Sequence, residues 1–472
     1  MSTSACYAPH SALYFRPDGV VSACCVNGFP VGTVFGPKRQ SLREIWAGTA
    51  LSAQRRALEA ESFDLGCLEC EFLTEAGGRE TTLAHHFDRF ASDEPLQYPK
   101  MLDLALSSRC NLQCVMCNGD LSSSIRTQRE GLPPLPDCYD ERFFEEIDEF
   151  LPHLERLQFK GGEPFLAREN QRIWDRLIEL DLCPEVTVTT NGTLFNDKVA
   201  HYVRALKMHP NISVDGMQAQ TVEAIRIGVD AVRLWQNIDK FQALAEEAGN
   251  GMTLSFCLMP MNWREVLPFL VEADRRSLNC NVIFVNQPQE YDLLRLPGIE
   301  LEQIFAELSS VEVELVGAAP RDCYNEVLER IGLTVESPPE FRETPVFMTS
   351  RPISAAVQVE LREMLLATFA CEPMIVEAEN GIVCSIDDPE WISWLGASDF
   401  LGRELDSLGE FVEERVGPVT NEWVPSPLPG VVVLAVQVTG SGETRSLRVY
   451  RLVDADSGKQ RVYLVDASRE SS

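Results

Sequence analysis

Between residues 101 and about 320, short apolar runs alternate with longer amphipathic stretches. The runs lie at 102–107, 157–159, 186–190, 211–214, 252–258 and 281–285. They lead into polar or glycine-rich steps, among them Lys160-Gly161-Gly162-Glu163-Pro164, Asn191-Gly192-Thr193, Asp215-Gly216, Met259-Pro260 and Asn286. Six strand-like runs separated by helical stretches predict parallel βα units in an α/β fold. In such folds the active site lies at the carboxyl ends of the strands, so these groups are expected to converge on one mouth.

The flanks follow other patterns. Apolar runs at 13–15 and 20–22 surround Pro17-Asp18-Gly19, which signals a hairpin. Ser41 is placed to cap a helix over Leu42–Trp46, with Glu44 completing a capping box. Residues 302–350 read as a last barrel helix and a connector, punctuated by Ser337-Pro338-Pro339 and Arg351-Pro352. A helix at 358–369 then leads into two strands around the Asn380-Gly381 turn, short helices and a three-strand antiparallel run within 431–468.

A chain of 472 residues has room for roughly three domains. Its net charge of −31 argues against nucleic acid or an anionic membrane as a main partner, since phosphate binding needs an excess of Lys and Arg. The longest apolar stretch, 431–436, reads as a buried strand; a membrane span needs ~18 residues. The first 15 residues have neither the basic start nor the apolar core of an export signal. A cytoplasmic, reducing location is expected. There, clustered cysteines are metal ligands or catalytic groups rather than disulfides.

The chain has 15 cysteines. Cys138, Cys183, Cys257, Cys280, Cys323, Cys371 and Cys384 are dispersed and read as small buried hydrophobes. Cys110, Cys114 and Cys117 form a tight C-x3-C-x2-C group. Three thiolates on one loop can hold three irons of a cubane and leave the fourth iron open to a small molecule. A structural zinc, the alternative, wants four protein ligands in two knuckles.

The C-x3-C-x2-C loop, the Gly-Gly-Glu-Pro step and the Thr-Thr-Asn-Gly-Thr and Ser-Val-Asp-Gly strand ends, in that order, resemble the radical SAM superfamily over about residues 98–300. That resemblance implies a partial (β/α)6 TIM-like barrel. Cys110, Cys114 and Cys117 would then hold a [4Fe–4S] cluster whose open iron chelates S-adenosylmethionine. Gly161, Gly162 and Glu163 would meet the methionine amino group through their backbone. Met116, where many members carry an aromatic, would lie near the adenine; Asn191 and Ser213 would bond ribose or carboxylate, and Arg226 would pair with the carboxylate. Lys160 and Arg264 are positional candidates for a base.

The N-terminal segment, with Cys6, Cys24 and the Cys67/Cys70 pair, is similar to the twitch and SPASM accessory domains over about residues 4–75. The likeness implies a hairpin-plus-helix domain with a second, fully ligated [4Fe–4S] cluster for electron transfer. Cys25 could replace Cys24, and a structural zinc at the four thiols is the alternative. The C-terminal segment resembles a PAS-type α+β domain through Asn380-Gly381, the LG-x5-LG spacing and Val462-Tyr463-Leu464-Val465-Asp466. The domains are thus expected at 1–95, 96–335 and 350–472.

The function implied is reductive cleavage of S-adenosylmethionine to a 5′-deoxyadenosyl radical, followed by hydrogen abstraction and oxidative modification of a peptide or protein, or of a small polyol. A reductant such as flavodoxin or ferredoxin would supply electrons. A redox-sensing iron–sulfur protein with a PAS-like domain is the competing reading.

Overall fold

The computed structural model describes residues 4–336, apart from 64, 68, 69, 72, 75–78, 80, 81 and 93, and beyond them the backbone of the strands given below. The chain divides into two units. The first comprises Met1–Cys25, Pro30–Glu59 and Leu83–Arg342, and the second Val26–Phe29, Ala60–Thr82 and Glu343–Ser472.

The first unit is built on nine strands: β1 Ala12–Phe15, β2 Val20–Ser22, β3 Gly32–Thr33, β4 Met101–Leu104, β5 Arg156–Phe159, β6 Glu185–Thr190, β7 His209–Ser213, β8 Thr253–Leu258 and β9 Asn279–Phe284. Their order is β3-β2-β1-β4-β5-β6-β7-β8-β9. Strands β4 to β9 are all parallel and follow chain order. Helices fill the crossovers, at Glu141–Phe150, Arg168–Glu179, Asp197–Ala205, Ala231–Glu247 and Val266–Arg275. This is the expected partial (β/α)6 barrel.

Caps fix where the helices begin. The side chains of Asp140, Asn196 and Asp230 accept from the N–H groups of Phe143, Val199 and Arg233 at the starts of three crossover helices. Ser41 and Glu44 form the anticipated capping box.

The two faces of the sheet differ in chemistry. Phe159 packs against Trp174 of the Arg168–Glu179 helix, with ring centroids 5.3 Å apart, and Phe256 packs on Phe269 at 5.0 Å. On that face Leu102, Leu104, Leu157, Val188, Ile212, Leu254 and Leu258 are all fully buried. Burying each such side chain contributes roughly 1.5–3 kcal/mol. The register sets Tyr14, Asp103, Gln158 and Thr187 in one row on the opposite, concave face, with Ser213 beside Ser255 further on. Strands buried under helices on both faces read as continuous apolar runs. The polar alternation here marks an inner face that lines a site.

The strand ends fall within a few residues of expectation. β4 makes its last ladder bond just past Leu104, from Ala105 N to Phe15 O at 2.9 Å, and the chain beyond turns to the glycine step, where Ser107 O accepts from Gly162 N at 2.9 Å. The β1–β2 hairpin forms around Gly19, which sits at φ 81°. β1 then pairs in parallel with β4, so the N-terminal hairpin continues the barrel sheet.

In the second unit, strands β10 Pro352–Ile353, β11 Met374–Glu379, β12 Ile382–Asp387, β13 Val419–Val424, β14 Val432–Gly440, β15 Glu443–Asp454 and β16 Gln460–Asp466 form a sheet. Its order is β12-β11-β16-β15-β14-β13, with β10 beside β15. The two leading strands and the three-strand run are as expected; β10, where a connector was expected, and β13 are additions. The helix at 358–369, the Asn380-Gly381 turn and the LG-x5-LG stretch lie outside the described residues. Among the described residues no helix is long and apolar enough to cross a membrane.

Candidate active site

The loop after β4 carries Cys110, Cys114 and Cys117, all half-buried. A run of serines holds it. Ser124 Oγ donates to Cys110 O at 2.7 Å, Ser122 Oγ to Leu112 O at 2.8 Å, and Ser123 Oγ accepts from Cys110 N at 3.3 Å. Gln113 N and Val115 N donate to Ile227 O and Ile225 O, each at 2.9 Å, tying the loop to the segment after β7. A π-helical turn, Ile125–Arg129, follows. Such turns recur at functional sites. It aims the Arg129 guanidinium at the carbonyls of Cys114 and Cys117.

The glycine step after β5 presses on this loop. A Cβ on Gly162 would lie 2.3 Å from Arg109 O, and Gly161 sits at φ 104°. Only glycine allows this approach and this conformation. Gly162 N donates to Ser107 O at 2.9 Å and Glu163 N to Arg109 O at 2.7 Å. These N–H groups therefore clamp the cysteine loop, which leaves carbonyls as the backbone groups able to accept from an ammonium. The Glu163 side chain is buried and ties β5 to β6: it accepts from Thr190 Oγ1 at 2.7 Å and Asn191 N at 2.8 Å. Burial pushes its carboxyl above the ordinary range, against those hydrogen bonds.

Asn191 donates from Nδ2 to Asn111 Oδ1 at 3.0 Å and reaches Cys110 Sγ at 3.9 Å. Ser213 ends β7, half-buried, beside Ser255. Met116 packs with Val115, Cys257 and Tyr291 against Ile225, Met259 and Val285. Arg226 departs from the reading that pairs it with an external carboxylate. It is buried, its Nη2 lies 2.6 Å from Asp215 Oδ2, and its Nη1 is 3.9 Å from Cys114 Sγ. Asp215 is held in a left-handed conformation (φ 61°), accepting from Cys257 N at 2.7 Å, while Asn262 donates to its carbonyl at 2.9 Å. Sequence reasoning assigned nothing to the Asp215 side chain, Asn262, the serine run or Arg129. The Asp-Gly step and the consecutive serines were the signals available.

Neither positional base survives. Burial is the largest influence on Lys160 and would lower it, but the Asp103 carboxylate 2.6 Å away, together with Cys25 and Tyr14, holds the ammonium above its ordinary range. Arg264 is exposed and paired with Glu307 at 3.2 Å. Of the dispersed cysteines, Cys138 and Cys280 are buried, Cys257 and Cys323 half-buried, and Cys183 is exposed, contrary to expectation.

Burial raises all three loop thiols; Cys117 is pushed up to about 12, with Cys114 and Cys110 adding to the effect. Three thiolates here need a cationic partner, as an iron cluster provides. Among the described residues no three His, Cys, Asp or Glu side chains gather as a single metal ion would need; a cubane distributes its thiolates over separate irons. The donor set is all sulfur, which suits iron–sulfur chemistry.

In the N-terminal segment Cys6 and Cys24 are buried, and Cys6 Sγ accepts from Ala8 N at 3.4 Å. The neighbouring Cys25 thiol reaches the Lys160–Asp103 pair instead. Cys70 is buried, and Cys67 is half-buried with an amide donor from Asn27 at 3.1 Å.

Residues 104–271 match the radical SAM superfamily, and residues 6–71 match SPASM, an iron–sulfur cluster-binding domain. A GTP 3′,8-cyclase of Clostridium botulinum is 24% identical over 139 residues, 29% of this chain and 42% of that protein. The enzyme of that name from Limosilactobacillus fermentum is 25% identical over 242 residues, 48% of this chain and 69% of that one. The chain thus spans less than half of the first of these relatives. Solved structures of native anSMEcpe with bound AdoMet (19% identity, TM-score 0.33, 44% of this chain and 58% of that one) and of Streptococcus suis SuiB bound to S-adenosylmethionine (14%, 0.32, 58% and 51%) are also similar. The chain carries a radical SAM domain, with S-adenosylmethionine and its binding [4Fe–4S] cluster as cofactors, preceded by a SPASM domain for an auxiliary iron–sulfur cluster.

Proposed function

We propose that this chain is a radical SAM oxidoreductase or maturase that modifies a peptide, protein or small polyol oxidatively. The convergence of one three-cysteine loop, the Gly-Gly-Glu clamp, Asn191 and Arg226 at the carboxyl ends of β4 to β7 supports this reading. Bound at Cys110, Cys114 and Cys117, the cluster with S-adenosylmethionine would supply one-electron cleavage of the sulfonium and, through 5′-deoxyadenosyl radical chemistry, hydrogen-atom abstraction from the substrate.

The chain's own residues bind, orient and exclude water. Cys110, Cys114 and Cys117 hold the cluster, and the serine run and Arg129 fix the loop that carries them. Carbonyls of the Gly161–Gly162–Glu163 step accept from the methionine ammonium. Met116 lies toward the adenine, with Asn191 and Ser213 toward the ribose or carboxylate. Arg226, neutralised by Asp215, orders the Cys114 side of the loop. Cys6, Cys24, Cys67 and Cys70 would hold the auxiliary cluster, which would supply a one-electron acceptor for the substrate. A flavodoxin or ferredoxin supplies electrons to the radical site. The domains fall at 1–95, 96–335 and 350–472, the last of PAS type. Anaerobic incubation with dithionite and S-adenosylmethionine tests the reading. 5′-Deoxyadenosine should form with wild type and not with Cys114→Ala. A reducible, cluster-loaded wild type that yields none refutes it.

A further inference from the structure

Asn27 is buried, with 7% of its surface exposed. Its amide is committed on every side: Nδ2 donates to Leu65 O at 2.9 Å and to Cys67 Sγ at 3.1 Å, and Oδ1 accepts from Phe29 N at 2.9 Å. Gly66, at φ 80°, makes this fit possible; a Cβ there would lie 2.7 Å from Phe29 N and 3.0 Å from Asn27 Nδ2. A neutral thiol is a weak acceptor, whereas a thiolate bound to iron makes a charge-assisted hydrogen bond. Hydrogen bonds to ligand sulfurs help set the potential of an iron–sulfur cluster.

We propose that Asn27 is a positioning residue that raises the reduction potential of the auxiliary cluster through its N–H···S bond to Cys67, making that cluster an electron acceptor rather than a structural staple. The inference rests on Cys67 being a ligand, as proposed above. Its physical basis is the sign of the charge. Reduction adds one electron, the sulfurs become more negative, and the bond strengthens. The reduced form gains more from the amide than the oxidised form does. Removing the N–H therefore lowers the potential.

The test uses the full chain with Cys110, Cys114 and Cys117 replaced by alanine, so that only the auxiliary cluster remains. Iron per chain and the midpoint potential, poised with redox dyes and read by electron paramagnetic resonance, are compared with and without Asn27→Leu and Asn27→Asp. Asn27→Leu removes the donor without adding charge and carries the test; Asn27→Asp keeps the acceptor for Phe29 N but replaces the donor with a carboxylate oxygen, whose charge pushes the potential the same way. About four irons should remain in each. The oxidised form should gain about tenfold over the reduced, ~59 mV toward negative potential for one electron. Gly66→Ala, which crowds the amide, should shift the potential the same way. Full iron with an unshifted potential in both Asn27 variants overturns the inference alone. Loss of iron from both assigns Asn27 to folding and also overturns it. No iron in the background variant overturns the ligand assignment and the inference with it.

Discussion

Replacing Gly162 with alanine asks whether the clamp on the cysteine loop governs cluster binding. The new Cβ would sit 2.3 Å from Arg109 O, where side-chain carbons do not come within 3.0 Å of backbone, so the loop must retreat by about 3.0 − 2.3 = 0.7 Å. That retreat loosens the Gly162 N–Ser107 O and Glu163 N–Arg109 O bonds, now 2.9 and 2.7 Å. Overpacking costs about 1–3 kcal/mol and two lost hydrogen bonds about 1 kcal/mol each, together roughly 3–5 kcal/mol. Each 1.4 kcal/mol is about tenfold in an equilibrium, so the loop geometry that receives iron should be depleted at least a hundredfold. Anaerobic reconstitution followed by iron counting should show Gly162→Ala losing the iron bound at Cys110, Cys114 and Cys117 while the auxiliary iron remains. Gly131→Ala is the control. It has positive φ (68°) but nothing within 4 Å, so it should cost only about 1–2 kcal/mol of backbone strain and keep full iron. Wild-type iron and an unchanged denaturation midpoint in Gly162→Ala would refute the clamp.

Three further outcomes follow from the same structure. Asp215→Asn leaves the buried Arg226 guanidinium without its anion and should destabilise the chain by about 3–5 kcal/mol in denaturant unfolding, with Asp215→Asn/Arg226→Met recovering part of the loss. Glu272 accepts hydrogen bonds from Arg275 and Arg276, which hold its carboxyl down to about 2. Its contribution is therefore present above the unfolded value of about 4.3 and is lost as pH falls toward 2, so Glu272→Gln should flatten the acid side of the stability profile over that window. Arg129→Ala removes donors to two loop carbonyls at an exposed position, so it should barely move the denaturation midpoint yet speed iron loss to a chelator.

Much of this architecture was readable from local pattern, because it depends on local chemistry. Alternating runs gave six strands, Ser41 and Glu44 gave a capped helix, and the glycine and asparagine steps gave the strand ends where the site residues meet. What was not readable depends on pairings between distant residues. Nothing local in 12–15 says that this strand pairs in parallel with β4 rather than closing a separate domain. Asp215 and Arg226 meet only because the turn at φ 61° swings the carboxylate inward under Cys257 N. Ser122, Ser123, Ser124 and Arg129 read as an ordinary polar stretch until the π-turn folds them back onto the cysteine loop.

The open iron is the centre of the account, and adding S-adenosylmethionine to the dithionite-reduced protein under electron paramagnetic resonance tests it most directly. The account predicts that the ligand changes the signal of one reduced [4Fe–4S] cluster, and that the change disappears when Cys110, Cys114 and Cys117 are replaced by alanine while the auxiliary signal persists. A reduced spectrum in the wild type that S-adenosylmethionine leaves untouched would contradict it.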